Sequence, residues 1–109
     1  MKNQELENIT TAIGKFVLED EKFKKYRWNG TWISGESTEV YPVECSYDRC
    51  SETYYVEVQL DTSYRYWYSK VKGLISRVQK KFSQYKIKPN IYRYDGSCPD
   101  ALTLCVYKK

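Results

Sequence analysis

Histidine is absent from this sequence, so four cysteines and scattered carboxylates are its main candidates for covalent or metal chemistry. Without an imidazole there is no Ser–His or Cys–His nucleophile pair and no His-ligated metal. Cys45 and Cys50 are separated by four residues and Cys98 and Cys105 by six. A four-thiolate zinc site takes knuckles about two to four residues apart, so the first pair is marginal and the second does not fit. As disulfides, the four cysteines allow three connectivities. A Cys45–Cys50 bridge would close a short loop, and a Cys98–Cys105 bridge the end of a terminal hairpin. A reducing compartment favours free thiols instead. Arg49 beside Cys50 is a single activating cation, which is weak support for a reactive thiol.

Among the carboxylates, Glu36, Glu39, Glu44 and Asp48 fall on turns and edge strands, where charged side chains are ordinarily solvated. The five glycines are unclustered, and no phosphate loop, dinucleotide fingerprint or calcium loop is present. These observations point to a binding protein rather than an enzyme, with no catalytic residue, metal or cofactor expected.

The more informative pattern is electrostatic. Arg65, Lys70, Lys72, Arg77, Lys80 and Lys81 share the side of a helical stretch opposite its apolar residues, and Lys86 and Lys88 extend the run. No acidic residue intervenes between Asp61 and Lys86, so the usual support from opposite charges four apart is missing. The late lysines complement a helix C-terminus; Arg65 and Lys70 do not. Arg65, Lys70, Lys72, Arg77, Lys80, Lys81 and Lys86 are therefore the expected partner-binding face, with Ser69, Ser76 and Gln79 as polar contacts. Trp28, Trp32, Tyr66, Tyr92 and Tyr94 are candidate aromatic contacts, Tyr92 and Tyr94 flanking Arg93.

Tyr, Trp and Arg dominate interface energies, which favours a protein or ribonucleoprotein partner. Small Tyr- and Lys-rich chains of this kind occur among virus- or mobile-element-encoded inhibitors that occlude a host complex. The net charge of +4 excludes an acidic mimic of DNA. The alternative is direct nucleic-acid binding through the basic helix face.

The elements that must position these residues follow from periodicity. Leu6, Ile9, Ile13, Phe16, Val17 and Phe23 recur at helical spacing after an Asn3 cap, with a break expected near Glu19-Asp20-Glu21. Asn29-Gly30 suits a two-residue hairpin, and Pro42 assigns its strand to an edge or a bulge. Cys45 to Cys50 is expected as a polar loop. Alternation over Thr53 to Leu60 makes the clearest strand. Asp61-Thr62-Ser63 is expected to cap a second helix from Ser63 to about Tyr85, its apolar arc holding Tyr64, Trp67, Tyr68, Val71, Leu74, Ile75, Val78, Phe82 and Tyr85. Asn90 to Tyr94 and Leu102 to Tyr107 then form a terminal hairpin.

The 109 residues thus read as a single α+β domain, 1–109, ordered α-β-β-β-α-β-β. Two amphipathic helices cover one face of a mainly antiparallel sheet of four to five strands, a two-layer sandwich. This order is similar to that of type III secretion chaperones, a likeness of element order carried by no motif. Homodimerisation through an open edge, at the Pro42 strand or the terminal strand, is compatible with the pattern. No apolar leader or membrane span is seen, so a cytoplasmic location is expected.

Overall fold

The computed structural model describes residues 3–27, 42–93 and 100–109, with the backbone alone at 32–33 and 39–40. Its elements are α1 (Gln4–Glu19), a short 3₁₀ turn (Lys24–Tyr26), β1 (Trp32–Ile33), β2 (Glu39–Val40), β3 (Val43–Asp48), β4 (Thr53–Leu60), α2 (Trp67–Lys81), β5 (Tyr85–Tyr92) and β6 (Asp100–Lys108). Both helices pack on one face of a four-stranded antiparallel sheet of order β3-β4-β6-β5, and β1 and β2 pair separately.

Alternation decides which residues meet the helices. Tyr54, Val56, Val58 and Leu60 of β4 lie beside Val106, Leu104, Leu102 and Asp100 of β6 on the helix side. Ile87 joins them from β5, and Ile13 and Val17 of α1 and Val71, Leu74 and Val78 of α2 close the core from above. Each such aliphatic, fully withdrawn from water, contributes about 1.5–3 kcal/mol.

α1 begins where its cap chemistry says it should. The Asn3 side chain accepts from the Leu6 amide at 3.1 Å, while the Asn3 amide donates to the Tyr54 hydroxyl at 2.9 Å. Gly14 lets the helix lie close on β3: a β-carbon there would stand 2.5 Å from Cys45 Sγ. The helix ends at Glu19, inside the acidic run that marks the break, and Phe23 packs in the core just beyond it.

Four expectations are corrected. The Asp61 carboxylate accepts from the Ser63 amide and hydroxyl, at 3.1 and 2.6 Å, forming a turn of its own instead of capping α2. The helix starts after Tyr66, which has left-handed backbone angles and caps without a side-chain hydrogen bond. At its other end α2 stops at Lys81, because Tyr85, Ile87, Pro89 and Ile91 alternate toward the helices and β5 supplies the partner that the outer side of β6 requires. Cys45 lies within edge strand β3, so the polar loop shrinks to the turn between Asp48 and Thr53, while Pro42 precedes that strand. The terminal strand β6 is interior, paired on both sides, and offers no edge for dimerisation.

The Asn29-Gly30 turn, and the side chains of Trp28, Trp32, Glu36, Glu39, Tyr94 and Cys98, lie outside the described residues. Among those described, Tyr26 belongs to the 3₁₀ turn, Arg27 bridges to Leu60, and Ile33 pairs with Glu39.

Candidate functional site

From Thr62 to Arg93 the chain carries nine of its 18 basic residues and none of its 14 acidic ones. The fold divides these cations rather than aligning them on one face. Arg65 lies in the turn ahead of α2, Lys70, Lys72, Arg77, Lys80 and Lys81 on the helix, and Lys86 and Lys88 on β5. Because β5 alternates, Lys86 and Lys88 point to the side of the sheet away from the helices, opposite Tyr107 and Cys105.

Arg77 is engaged. Its Nε donates to Asp20 Oδ2 at 2.8 Å and an Nη2 donates to Asp20 Oδ1 at 3.1 Å. The Asp20 side chain is 6% exposed, so the pair ties α2 to the end of α1. Arg77 is a structural residue on this geometry. Lys70, Lys72, Lys80 and Lys81 are exposed.

The remaining cations gather with aromatic rings at the start of α2. Tyr64, Tyr66 and Tyr68 are 38%, 65% and 51% exposed, a concentration of large rings in water that a solvated turn does not need. Each ring holds a cation: Lys25 Nζ stands 4.8 Å from the Tyr64 centroid, the Arg65 guanidinium 5.0 Å from Tyr66 and Lys72 Nζ 5.2 Å from Tyr68. Arg93 lies 5.2 Å over Trp67 and is held in place by Asp100, Nε to Oδ2 at 3.0 Å. Asp100 also accepts from the Thr62 hydroxyl at 3.0 Å.

Between α2 and β5, Trp67, Tyr68, Lys72 and Arg93 of this group line a groove of about 490 Å³, together with Ile75, Pro89, Asn90 and Ile91. Its floor is apolar and its rim cationic. The first turn of α2 has no acidic residue and no side-chain cap, so the positive end of the helix dipole opens beside that rim. In chemistry the groove is complementary to carboxylates or phosphates joined to apolar groups.

Of the expected aromatic contacts, Tyr66 and Tyr92 are exposed, and Tyr66 belongs to this cluster. Tyr64 and Tyr68, expected on the apolar arc, are instead exposed, because α2 starts only after Tyr66; with Trp67, Lys25 and Arg93 they form a group the sequence reading missed. Their signal was available in part: Tyr64-Arg65-Tyr66-Trp67-Tyr68 packs four rings and a cation into five residues. Lys25 and Arg93, however, come from distant parts of the chain.

Cys45, Cys50 and Cys105 are free thiols. Cys45 Sγ donates to the Thr10 carbonyl at 3.4 Å on the helix side, Cys50 is exposed in the β3–β4 turn, and Cys105 lies on the far side of the sheet. Burial pushes the Cys45 and Cys105 thiols above the usual range. Asp48 accepts from the Ser51 hydroxyl and the Cys50 amide, which hold its carboxyl below the ordinary value. Among the described residues no group of three His, Cys, Asp or Glu side chains is placed to hold a metal ion. No helix among them is long and apolar enough to cross a membrane.

The chain matches no protein-family model, no curated protein and no solved structure at a significant level, so the similarity of element order to secretion chaperones carries no functional argument and the surface itself must supply one.

Proposed function

We propose that this protein is a non-enzymatic binding protein that acts by gripping an acidic, partly apolar segment of a macromolecular partner, a protein or ribonucleoprotein, in the groove at the start of α2. The observation that supports this reading is the cluster of exposed, cation-bearing tyrosines beside an uncapped helix start. Tyr and Arg bury large area at low conformational cost and dominate binding energies when a partner excludes water from them. Carboxylates of the partner would meet Arg65, Lys72 and the α2 amides, while apolar side chains would cover Trp67 and Ile75. A protein of this kind works by occlusion, blocking the acidic surface it covers.

The test is affinity capture from the cell of origin followed by mass spectrometry, with the native chain and an Arg65→Glu/Lys72→Glu variant side by side. A partner retained by the native chain and lost by the variant supports the reading. Equal recovery by both would remove the groove from the account.

Direct binding of single-stranded nucleic acid is the second reading, favoured by the four rings and one cation gathered over 64–68. Phosphate contacts would make log affinity fall linearly with log salt, by about 0.7 per phosphate on a single strand. No binding to RNA or DNA at low salt would leave the protein partner alone.

A further inference from the structure

The sheet face turned away from the helices carries a charge pattern that matches itself. On one edge, β5 presents Lys86 and Lys88, both exposed and in no ion pair among the described residues. On the other, β3 presents Glu44, Ser46 and Asp48. One row runs Lys88, Cys105, Tyr55, Ser46 across the four strands, and the next runs Asn90, Thr103, Glu57, Glu44. Lys86 and Tyr107 on one side, and Thr53 and Asp48 on the other, stand one register step further on. The centre of the face is aromatic and half-buried, with Tyr55, Tyr107 and Cys105. In the row beyond, Gln59 and Ala101 are already buried and Tyr92 at its β5 end is exposed, so the open area covers these three rows and the Tyr92 corner.

We propose that this face is the interface of a homodimer, in which two copies meet sheet to sheet about a two-fold axis parallel to the strands between β4 and β6. That operation lays β5 of each copy over β3 of the other, row on row. Lys88 then stands over Ser46 of the second copy, between its Glu44 and Asp48, and Lys86 over its Asp48. An isologous interface makes each such contact twice. A two-fold axis across the strands would instead set β3 over β3 and β5 over β5, like charge on like charge. The charge pattern therefore selects one arrangement. Tyr55 and Cys105 exchange places across the axis, filling the centre of a sandwich whose sheets lie about 10 Å apart.

Edge-to-edge pairing through β5 is blocked by the fold itself. The Ile87 carbonyl faces outward and accepts from the α2 side chain of Gln79 at 3.2 Å, and Pro89, in the same outward phase, has no amide to offer. With four strands spaced about 4.8 Å apart and three rows of side chains, the patch is small for a specific interface, so the dimer is a weak one that forms as concentration rises.

Analytical ultracentrifugation of the full chain tests this. The expected mass rises from 13.0 kDa at low concentration toward twice that value as concentration increases. Lys88→Glu, which meets Glu44 and Asp48, and Ser46→Lys, which meets Lys88, each weaken the dimer about tenfold, and the Ser46→Lys/Lys88→Glu double variant recovers most of the loss. Both positions are exposed, and circular dichroism verifies that each variant is folded. A chain that stays at its single mass at every soluble concentration overturns the proposal. A dimer indifferent to both single variants, or one that the double variant fails to restore, overturns it as well.

Discussion

The Arg77 guanidinium holds the Asp20 carboxylate by two parallel hydrogen bonds of 2.8 and 3.1 Å, joining the middle of α2 to the residue that ends α1. Asp20 Oδ1 also accepts from the Phe23 amide at 3.2 Å, so one carboxylate fixes the helix end, the next turn and the neighbouring helix.

Arg77→Ala should therefore destabilise the protein by about 2 kcal/mol, because it strips a nearly buried carboxylate of its charged donor. Lys80→Ala and Lys81→Ala, on exposed positions of the same helix, should stay within about 0.5 kcal/mol. Urea denaturation of the three variants separates them. A cost at Arg77 no larger than at the two lysines would show that the pair is incidental.

Gly14 carries the second prediction. Alanine favours a helix interior by about 1 kcal/mol over glycine, yet Gly14→Ala should destabilise the protein, since its β-carbon would collide with Cys45 Sγ. Cys45→Ala removes that sulfur, and the Gly14→Ala/Cys45→Ala double variant should be more stable than Cys45→Ala alone. Thermal unfolding of the three variants reads the sign directly.

Tyr66 combines a φ of 66° with 65% exposure. Asparagine tolerates left-handed angles better than a bulky side chain, so Tyr66→Asn should keep or raise stability by about 0.5–1 kcal/mol. On the function proposed here it should at the same time weaken partner binding. Loss of stability with binding intact would mean that the ring serves the fold.

The chain end offers a pH prediction. The Tyr85 hydroxyl donates to Glu5 Oε2 at 2.7 Å, and Lys108 Nζ lies 3.4 Å from Glu5 Oε1. The tyrosine hydrogen bond, and then Lys108, hold the Glu5 carboxyl below the ordinary carboxylate range; Glu5 in turn holds the Tyr85 phenol above its own. A depressed acid stabilises the fold above its unfolded value and loses that contribution as pH falls through the folded one. A raised phenol stabilises below its unfolded value and loses the contribution as pH rises through the folded one. The pair thus helps at neutral pH and fades at both extremes. Carbon-detected NMR titration of Glu5 should show an upward shift in Tyr85→Phe, and no movement would sever the link.

The free thiols should react in a set order. In a Cys98→Ser background, Cys50 should be alkylated first, because it is exposed in a turn while burial raises Cys45 and Cys105. Peptide mapping after timed iodoacetamide quenches checks this.

Local patterns in the sequence determined much of this protein. The α+β class, the cap at Asn3, the helical arc of Val71, Ile75 and Val78, and the alternation from Thr53 to Leu60 all express short-range geometry: 3.6 residues per turn or two per pleat. The excess of cations after Asp61 was equally legible, because charge sequence needs no fold to be counted. Tertiary structure decided where those charges went. Tyr85 to Tyr92 satisfies a helical arc in part and a strand alternation in full, and β6, otherwise unpaired along one side, draws it into the sheet. That choice carried Lys86 and Lys88 to the opposite side of the molecule from Lys70 and Lys80. Packing of α1 against α2 placed Asp20 beside Arg77, 57 residues away, and turned an apparent contact residue into a structural tie. Lys25 and Arg93 met the tyrosines of the α2 start for the same reason: long-range contact depends on which faces are buried together, and no local spacing encodes it.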